Sequence, residues 1–499
     1  MAATTVALVV LAVLCSGPTG ASVPAADWPS FGDGPQHTFT GLTELTPSSV
    51  ATLRPAWRFP TGDAVTATPT VVGDTVYVGS WDRFFYAVSL RTGRLRWRYR
   101  LQDQPSVTPY PGEKTRNVGT DGGLVTSSAW YEPGGGRRPA LVIFGGGYTL
   151  YALAARTGHL YWSHDYTGLP ALPADPTGDG ARIFSSPVVV GTKVLFGVDV
   201  DGQPGERGYI VAADLGTGDP VWEFQTDVNR SGRILNDGCG SVWSSGTVLP
   251  DLGLAVFGTA DCPTNSKARY SEVVLALDIR TGRLAWVFRP DDETNQCDQD
   301  IGATANAGVD PSGTTTFLGE GSKDGDYYAL DPATGRLRWE HNVVFGGAAG
   351  GFIASTAYDG QVVVGATAVG DYGHFKAGKA VLCDPSDPRD TQFQQPSDHA
   401  FSAVDGSVLW DAAGADSFGA TTIAGGMAFN CQAFAEVVEV RDVTSGAILA
   451  KPPLPNECWS GIATVGDALV LGVGTSARAL PAGIVALTPG GRAPIVSRR

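Results

Sequence analysis

Short runs of alternating apolar and polar residues recur along the chain, as in "YAVSL" (86–90) and "LALDI" (275–279). A two-residue period sends alternate side chains to opposite faces, which predicts β-strands. Each run ends in a turn signal and is followed by a second strand pattern that carries Trp. The fullest copies are "YAVSLRTGRLRWRY" (86–99), "LALDIRTGRLAWVF" (275–288) and "YALDPATGRLRWEH" (328–341). The Thr-Gly turns centre on Thr92, Thr157, Thr217, Thr281 and Thr334, with degenerate copies at Asp405-Gly406, Ser445-Gly446 and Pro489-Gly490. Gly accepts the left-handed backbone that a type I turn plus bulge requires. The Trp, on the following strand, can pack against a neighbouring sheet.

A second pattern lies upstream of the Thr-Gly phrase. "TPTVVGDTVYVGS" (68–80), "SPVVVGTKVLFGV" (186–198), "ASTAYDGQVVVGA" (354–366) and "GIATVGDALVLGV" (461–473) each read strand, tight turn, strand. One unit is therefore four antiparallel strands, and eight units predict an all-β, eight-bladed β-propeller. "LRPAWRFPTG" (53–62) resembles the last strand of a unit but precedes the first, while the last unit lacks a Trp strand. The N-terminal segment is expected to complete the last blade and hide both sheet edges. A seven-bladed ring is the alternative, because the copies after residue 400 are degenerate.

Composition agrees with this picture. The 499 residues include 66 Gly and 12 Trp, and 43% are hydrophobic, enough for a sizeable core. A net charge of −15 argues against nucleic acid as a partner, since binding phosphates needs clustered Lys and Arg. Residues 1–26 read as a signal peptide around the apolar run Val6–Leu14, although no Lys or Arg precedes it. That run is too short to span a bilayer, and no other segment is long and apolar enough. Residues 27–499 are then a single propeller domain, secreted or otherwise extracytoplasmic. Six cysteines remain: Cys239, Cys262, Cys297, Cys383, Cys431 and Cys458. In an exported chain they suggest disulfides of undetermined connectivity.

In such a unit the two tight turns share one face of the disc. The loops between strands two and three, and between blades, share the other. All six cysteines fall on this second face, as do the insertions 199–208, 258–272, 289–300 and 319–326. Long braced loops around a ring mouth make a candidate ligand site.

The Trp-ending repeat, "VWSS", "DQDIGA" and "SKDGDYYALDPATG" resemble the quinoprotein dehydrogenases, nearest the secreted polyvinyl-alcohol-dehydrogenase-like branch. The resemblance implies pyrroloquinoline quinone (PQQ) as cofactor and a small or polymeric alcohol as substrate. It further implies Asp300 as the proton-accepting base with Asp298 as its backup, Lys323 beside the quinone oxygen and Trp243 as the stacking floor. The vicinal Cys-Cys of the classical alcohol dehydrogenases is absent; the corresponding region reads "GGLVTSSAW". Gln203 stands where the family has a calcium-binding Glu, and Asp261 falls near its calcium-binding Asn. A metal site would have to be rebuilt around Asp261 and Glu206, which weakens the expectation of calcium. Cys239 and Cys262 frame Trp243 from adjacent loops and are the first expected disulfide.

Other chemistries lack their signatures. The six histidines form no metal spacing, and GxSxG, GxxxxGK[ST] and CxxCH motifs are absent. Electrons taken from an alcohol would pass to a separate acceptor. The competing reading is a non-catalytic scaffold that displays its braced loops to a protein or glycan partner.

Overall fold

The computed structural model describes residues 27–101, 125–166, 183–200, 207–262, 268–290, 299–344, 350–368, 375–376, 379–380, 397–475 and 478–496. Strands pair into eight blades of four antiparallel strands, and the strand Thr40–Gly41 adds in parallel to the inner edge of blade 7. Blade 1 is Thr70–Val72, Thr75–Gly79, Phe84–Ser89 and Leu95–Arg100. Blades 2 to 7 occupy residues 130–165, 188–225, 247–288, 306–342, 357–413 and 422–450. Blade 8 joins Ala463–Val465, Ala468–Val473 and Gly483–Pro489 to the N-terminal strand Leu53–Pro60. The ring therefore closes as the sequence pattern predicted, with eight blades rather than seven.

The repeated phrase is the joint between blades. Asp278 caps the turn by accepting from the Thr281 amide (2.7 Å) and hydroxyl (2.6 Å), and Asp331 does the same for Thr334. Gly282 and Gly335 take φ values near +69°. An extra residue before the Trp then shifts the register of the outer hairpin, re-aiming the indole at the next blade. Trp222 covers Gly282 and donates to the Ile279 carbonyl at 3.0 Å. The same contact joins Trp57 to Gly93, Trp97 to Gly158, Trp162 to Gly218, Trp286 to Gly335, Trp339 to Gly406 and Trp410 to Gly446. Blade 7 ends in Ile448–Ala450 without a Trp. There, Leu45, Val50 and Leu53 of the N-terminal segment fill the seam between blades 7 and 8.

Residues 28–44 run around the axis along the inner strands. Carbonyls of Trp28, Pro29, Pro35, Gln36, Thr38 and Phe39 accept from Val71, Tyr131, Val248, Ala307, Tyr358 and Ile423, at 2.8–2.9 Å. These donors occupy the same position of strand one in six blades, so the strap satisfies edges that would otherwise be orphaned. Three residues nearer the mouth lies a ring of hydroxyls. Thr68 N donates to Ser128 Oγ, Ser128 N to Ser186 Oγ, Ser186 N to Ser245 Oγ, Ser245 N to Thr304 Oγ1 and Thr304 N to Ser355 Oγ, all within 3.0 Å. The ring lines an axial cavity of about 230 Å³, which Phe31 of the strap also lines.

Candidate active site

Two residues above each ring hydroxyl, a second tier faces the axis, and Trp243 belongs to it. The indole packs directly against Gly302 of the next blade; a Cβ there would sit 1.6 Å from its Cζ2. Only Gly at 302 permits this placement, and Trp243 Nε1 then donates to Asp300 Oδ2 at 3.2 Å.

Asp300, 7% exposed, precedes the inner strand of blade 5. Besides the indole it accepts from Asp261 N through Oδ1 at 2.8 Å and from Lys323 Nζ through Oδ2 at 3.3 Å. Lys323, 6% exposed, is delivered by the turn between strands two and three of blade 5. Asp324 fixes that turn, accepting from Asp326 N (2.8 Å) and the Tyr328 hydroxyl (2.6 Å). Blade 1 repeats the device with Asp82, Phe84 N and the Tyr86 hydroxyl, and carries Trp81 where blade 5 carries Lys323. The lysine is therefore a substitution on a structural turn, aimed at the axis by its neighbours. Its own backbone N–H also donates to the Asp300 carbonyl at 3.0 Å.

Asp261 is held by the Cys239–Cys262 disulfide, the pair expected from the sequence. The two segments it joins also exchange Gly240 N to Asp261 O (3.0 Å) and Ala260 N to Ser241 O (2.8 Å). A second disulfide joins Cys431 to Cys458, with Cys431 closing a strand rather than lying in a loop.

Sequence reasoning missed Glu272. It is buried, takes φ +51°, and its Oε1 has no hydrogen-bond partner among the described residues. Burial, reinforced by the Asp261 and Asp300 charges, pushes its carboxyl up to about 8 against the opposing pull of Arg289. Burial and then Asp300 push Asp261 up to about 7, while Lys323 opposes. Both shifts express the cost of gathering carboxylates out of water, Asp261 and Asp300 beside Lys323 and Glu272 beside Arg289. "RYSE" carries no periodicity that would mark Glu272; only the fold brings it to this corner. Phe418 and Trp459, also missed, line the cavity beside Trp243.

Trp243, Asp261, Asp300 and Lys323 thus meet at one corner. Gln203, Glu206, Asp298, Cys297, Cys383 and residues 1–26 lie outside the described residues. Among the described residues no three His, Cys, Asp or Glu side chains are grouped to hold a metal ion. For a planar quinone the residues do fit, because Gly302 fixes the aromatic platform and Lys323 supplies a buried cation beside it.

Comparison with known proteins agrees with the geometry. A polyvinylalcohol dehydrogenase of Pseudomonas sp. is 25% identical over 67% of this chain and 54% of its own length. The quinohemoprotein alcohol dehydrogenase ADH IIB of Pseudomonas putida is 27% identical over 66% of this chain and 49% of its own. The chain thus spans about half the length of these curated relatives. The crystal structure of quinohemoprotein alcohol dehydrogenase from Comamonas testosteroni superposes with a TM-score of 0.72 at 19% identity, covering 95% of this chain and 82% of that one. Residues 28–340 match the β-propeller domain of glucose/ethanol/alcohol dehydrogenases. Since that match spans more than half of the sequence, the protein belongs to the PQQ β-propeller family.

Proposed function

We propose that the protein oxidises an alcohol with PQQ, using Asp300 as the proton acceptor. One observation carries this reading: a single buried carboxylate is held at once by the Trp243 indole, the Lys323 ammonium and the Asp261 amide. An exposed surface ion pair needs no such convergence of donors on one buried carboxylate. When bound, PQQ supplies the electrophile that accepts hydride from the alcohol carbon.

The chain's residues divide the remaining work. Trp243 offers its face as the platform for the planar ring. Lys323 places a positive charge where a quinone oxygen would gain electron density. Asp300 is oriented by its three donors so that its remaining lone pair, on Oδ1, can take the hydroxyl proton. Glu272 and Asp261, biased by burial toward their neutral forms, limit the negative charge around that transfer. Calcium would draw on Asp261 and on Glu206, which lies outside the described residues.

The electrons are proposed to pass from PQQ to a separate acceptor. Two disulfides among the described residues support an extracytoplasmic location. No described helix is long and apolar enough to cross a membrane. The test is to titrate the purified protein with PQQ, with and without calcium, following the quench of Trp fluorescence and alcohol-dependent dye reduction. Saturable quenching with turnover is expected; absence of binding under both conditions would overturn the reading.

A further inference from the structure

The face that carries the tight turns lies opposite the mouth. At the seam between blades 1 and 2 it opens into a groove of about 850 Å³. Small-ligand sites fall in the same range, roughly 300–1,000 Å³. A departure from the repeat builds one side of it. Residues 73–74 alone join the first two strands of blade 1, whereas residues 133–140 join those of blade 2. Pro139 and Ala140 of this longer hairpin line the groove.

Two chemistries meet there. Tyr77, Trp97 and Tyr131 supply aromatic rings, with the Trp97 and Tyr131 centroids 6.0 and 6.2 Å from that of Tyr77. Trp97 and Tyr131 are only partly buried. Trp97 Nε1 and the Tyr77 hydroxyl both donate to the Ala155 carbonyl, at 3.0 and 3.2 Å, which fixes their rings. Arg96 and Arg156 line the same groove. Arg96 is anchored on the Asp74 carboxylate at 2.7 Å. Arg156, and Arg137 on the long hairpin, are exposed and have no ion-pair partner among the described residues.

Positive charge is concentrated around this seam. Residues 83–100 carry six Arg and no Asp or Glu, and residues 131–159 carry three Arg against one Glu, in a chain of net charge −15. Neither stretch contains Lys. A guanidinium pairs both oxygens of a carboxylate at once, which an ammonium cannot do.

We propose that the groove binds an acidic polysaccharide, a chain whose sugar rings carry carboxylates. Trp97 and Tyr131 offer apolar ring faces to the C–H face of a pyranose. The flanking guanidiniums take its carboxylates. An acidic protein or a nucleic acid presents its charge on a broad surface, whereas a cleft with aromatic walls admits a narrow chain. A glycan bound on this face leaves the mouth free, and its binding does not depend on alcohol oxidation.

The test is calorimetric titration of the full chain with alginate (a polyuronate), neutral dextran and polyphosphate. Wild type is compared with Arg156→Gln and Arg156→Glu; the side chain is exposed, so all three should melt at the same temperature. Alginate is expected to bind at low salt and to weaken as salt rises. Dextran should not bind, and polyphosphate should bind at least about tenfold more weakly than alginate. Arg156→Gln should weaken alginate binding about tenfold, and Arg156→Glu further. Absence of alginate binding at low salt would overturn the proposal. Equal affinity for alginate and polyphosphate would overturn it too, since charge alone would then explain binding. Unchanged alginate affinity in both variants would remove the groove as the site.

Discussion

Gly302 shows how little of the site is carried by the residues that do chemistry. Its missing side chain is what lets Trp243 lie across the blade boundary and reach Asp300. Gly302→Ala is therefore expected to displace the indole and weaken PQQ binding at least about tenfold, measured by fluorescence titration, with the fold intact. Glu320 makes a different case. It occupies a core position of blade 5, is 1% exposed, and neither carboxyl oxygen has a hydrogen-bond partner among the described residues. Burial raises its carboxyl well above the ordinary range. The folded protein keeps that proton when the unfolded chain has lost it, so stability falls as pH rises above about 4.5, until the raised value is passed. Glu320→Gln should gain on the wild type by up to about 1.4 kcal/mol per pH unit as pH rises above about 4.5, read from denaturant midpoints. Asp300, Lys323 and Trp243 were legible in the sequence because each sits in a short motif with fixed chemistry. Glu272 and Glu320 were not, because burial of a carboxylate depends on what packs over it from other blades.

At the scale of elements, the Asp-x-x-Thr-Gly turn, the bulge and the Trp form one interlocking joint. Gly282 and Gly490 share the same backbone conformation, at φ +69° and +67°, but only Gly282 lies under an indole. Gly490→Ala should cost about 1 kcal/mol, the strain of a left-handed alanine. Gly282→Ala should cost about 3 kcal/mol, because its Cβ would sit 2.6 Å from Trp222 and unseat it; chemical denaturation of the two variants gives both numbers. The turn could be read from sequence because Thr-Gly and alternation are local signals. Its docking partner could not, since the Trp contacts a glycine in the next blade, sixty residues away for Trp222 and Gly282. The strap at 28–44 was likewise invisible: its hydrogen bonds run through backbone carbonyls, which no side-chain pattern marks.

For the whole molecule, closure decides whether the mouth exists. Trp57, from the N-terminal strand, makes the same contact with blade 1 that Trp97 makes between blades 1 and 2. Trp57→Ala and Trp97→Ala should therefore lower stability by similar amounts, about 3 kcal/mol each, in parallel denaturant titrations. A much smaller loss for Trp57 would mean that the ring is held shut elsewhere. Closed, the ring brings Trp243 and Asp261 from blade 4 against Asp300 and Lys323 from blade 5. The central claim is that Asp300 accepts the proton of an alcohol oxidised at this corner. It is tested most directly by alcohol-dependent dye reduction with PQQ-loaded wild type and Asp300→Asn at equal cofactor occupancy. A fall in kcat of about a hundredfold or more in Asp300→Asn is predicted; equal rates in the two proteins would contradict it.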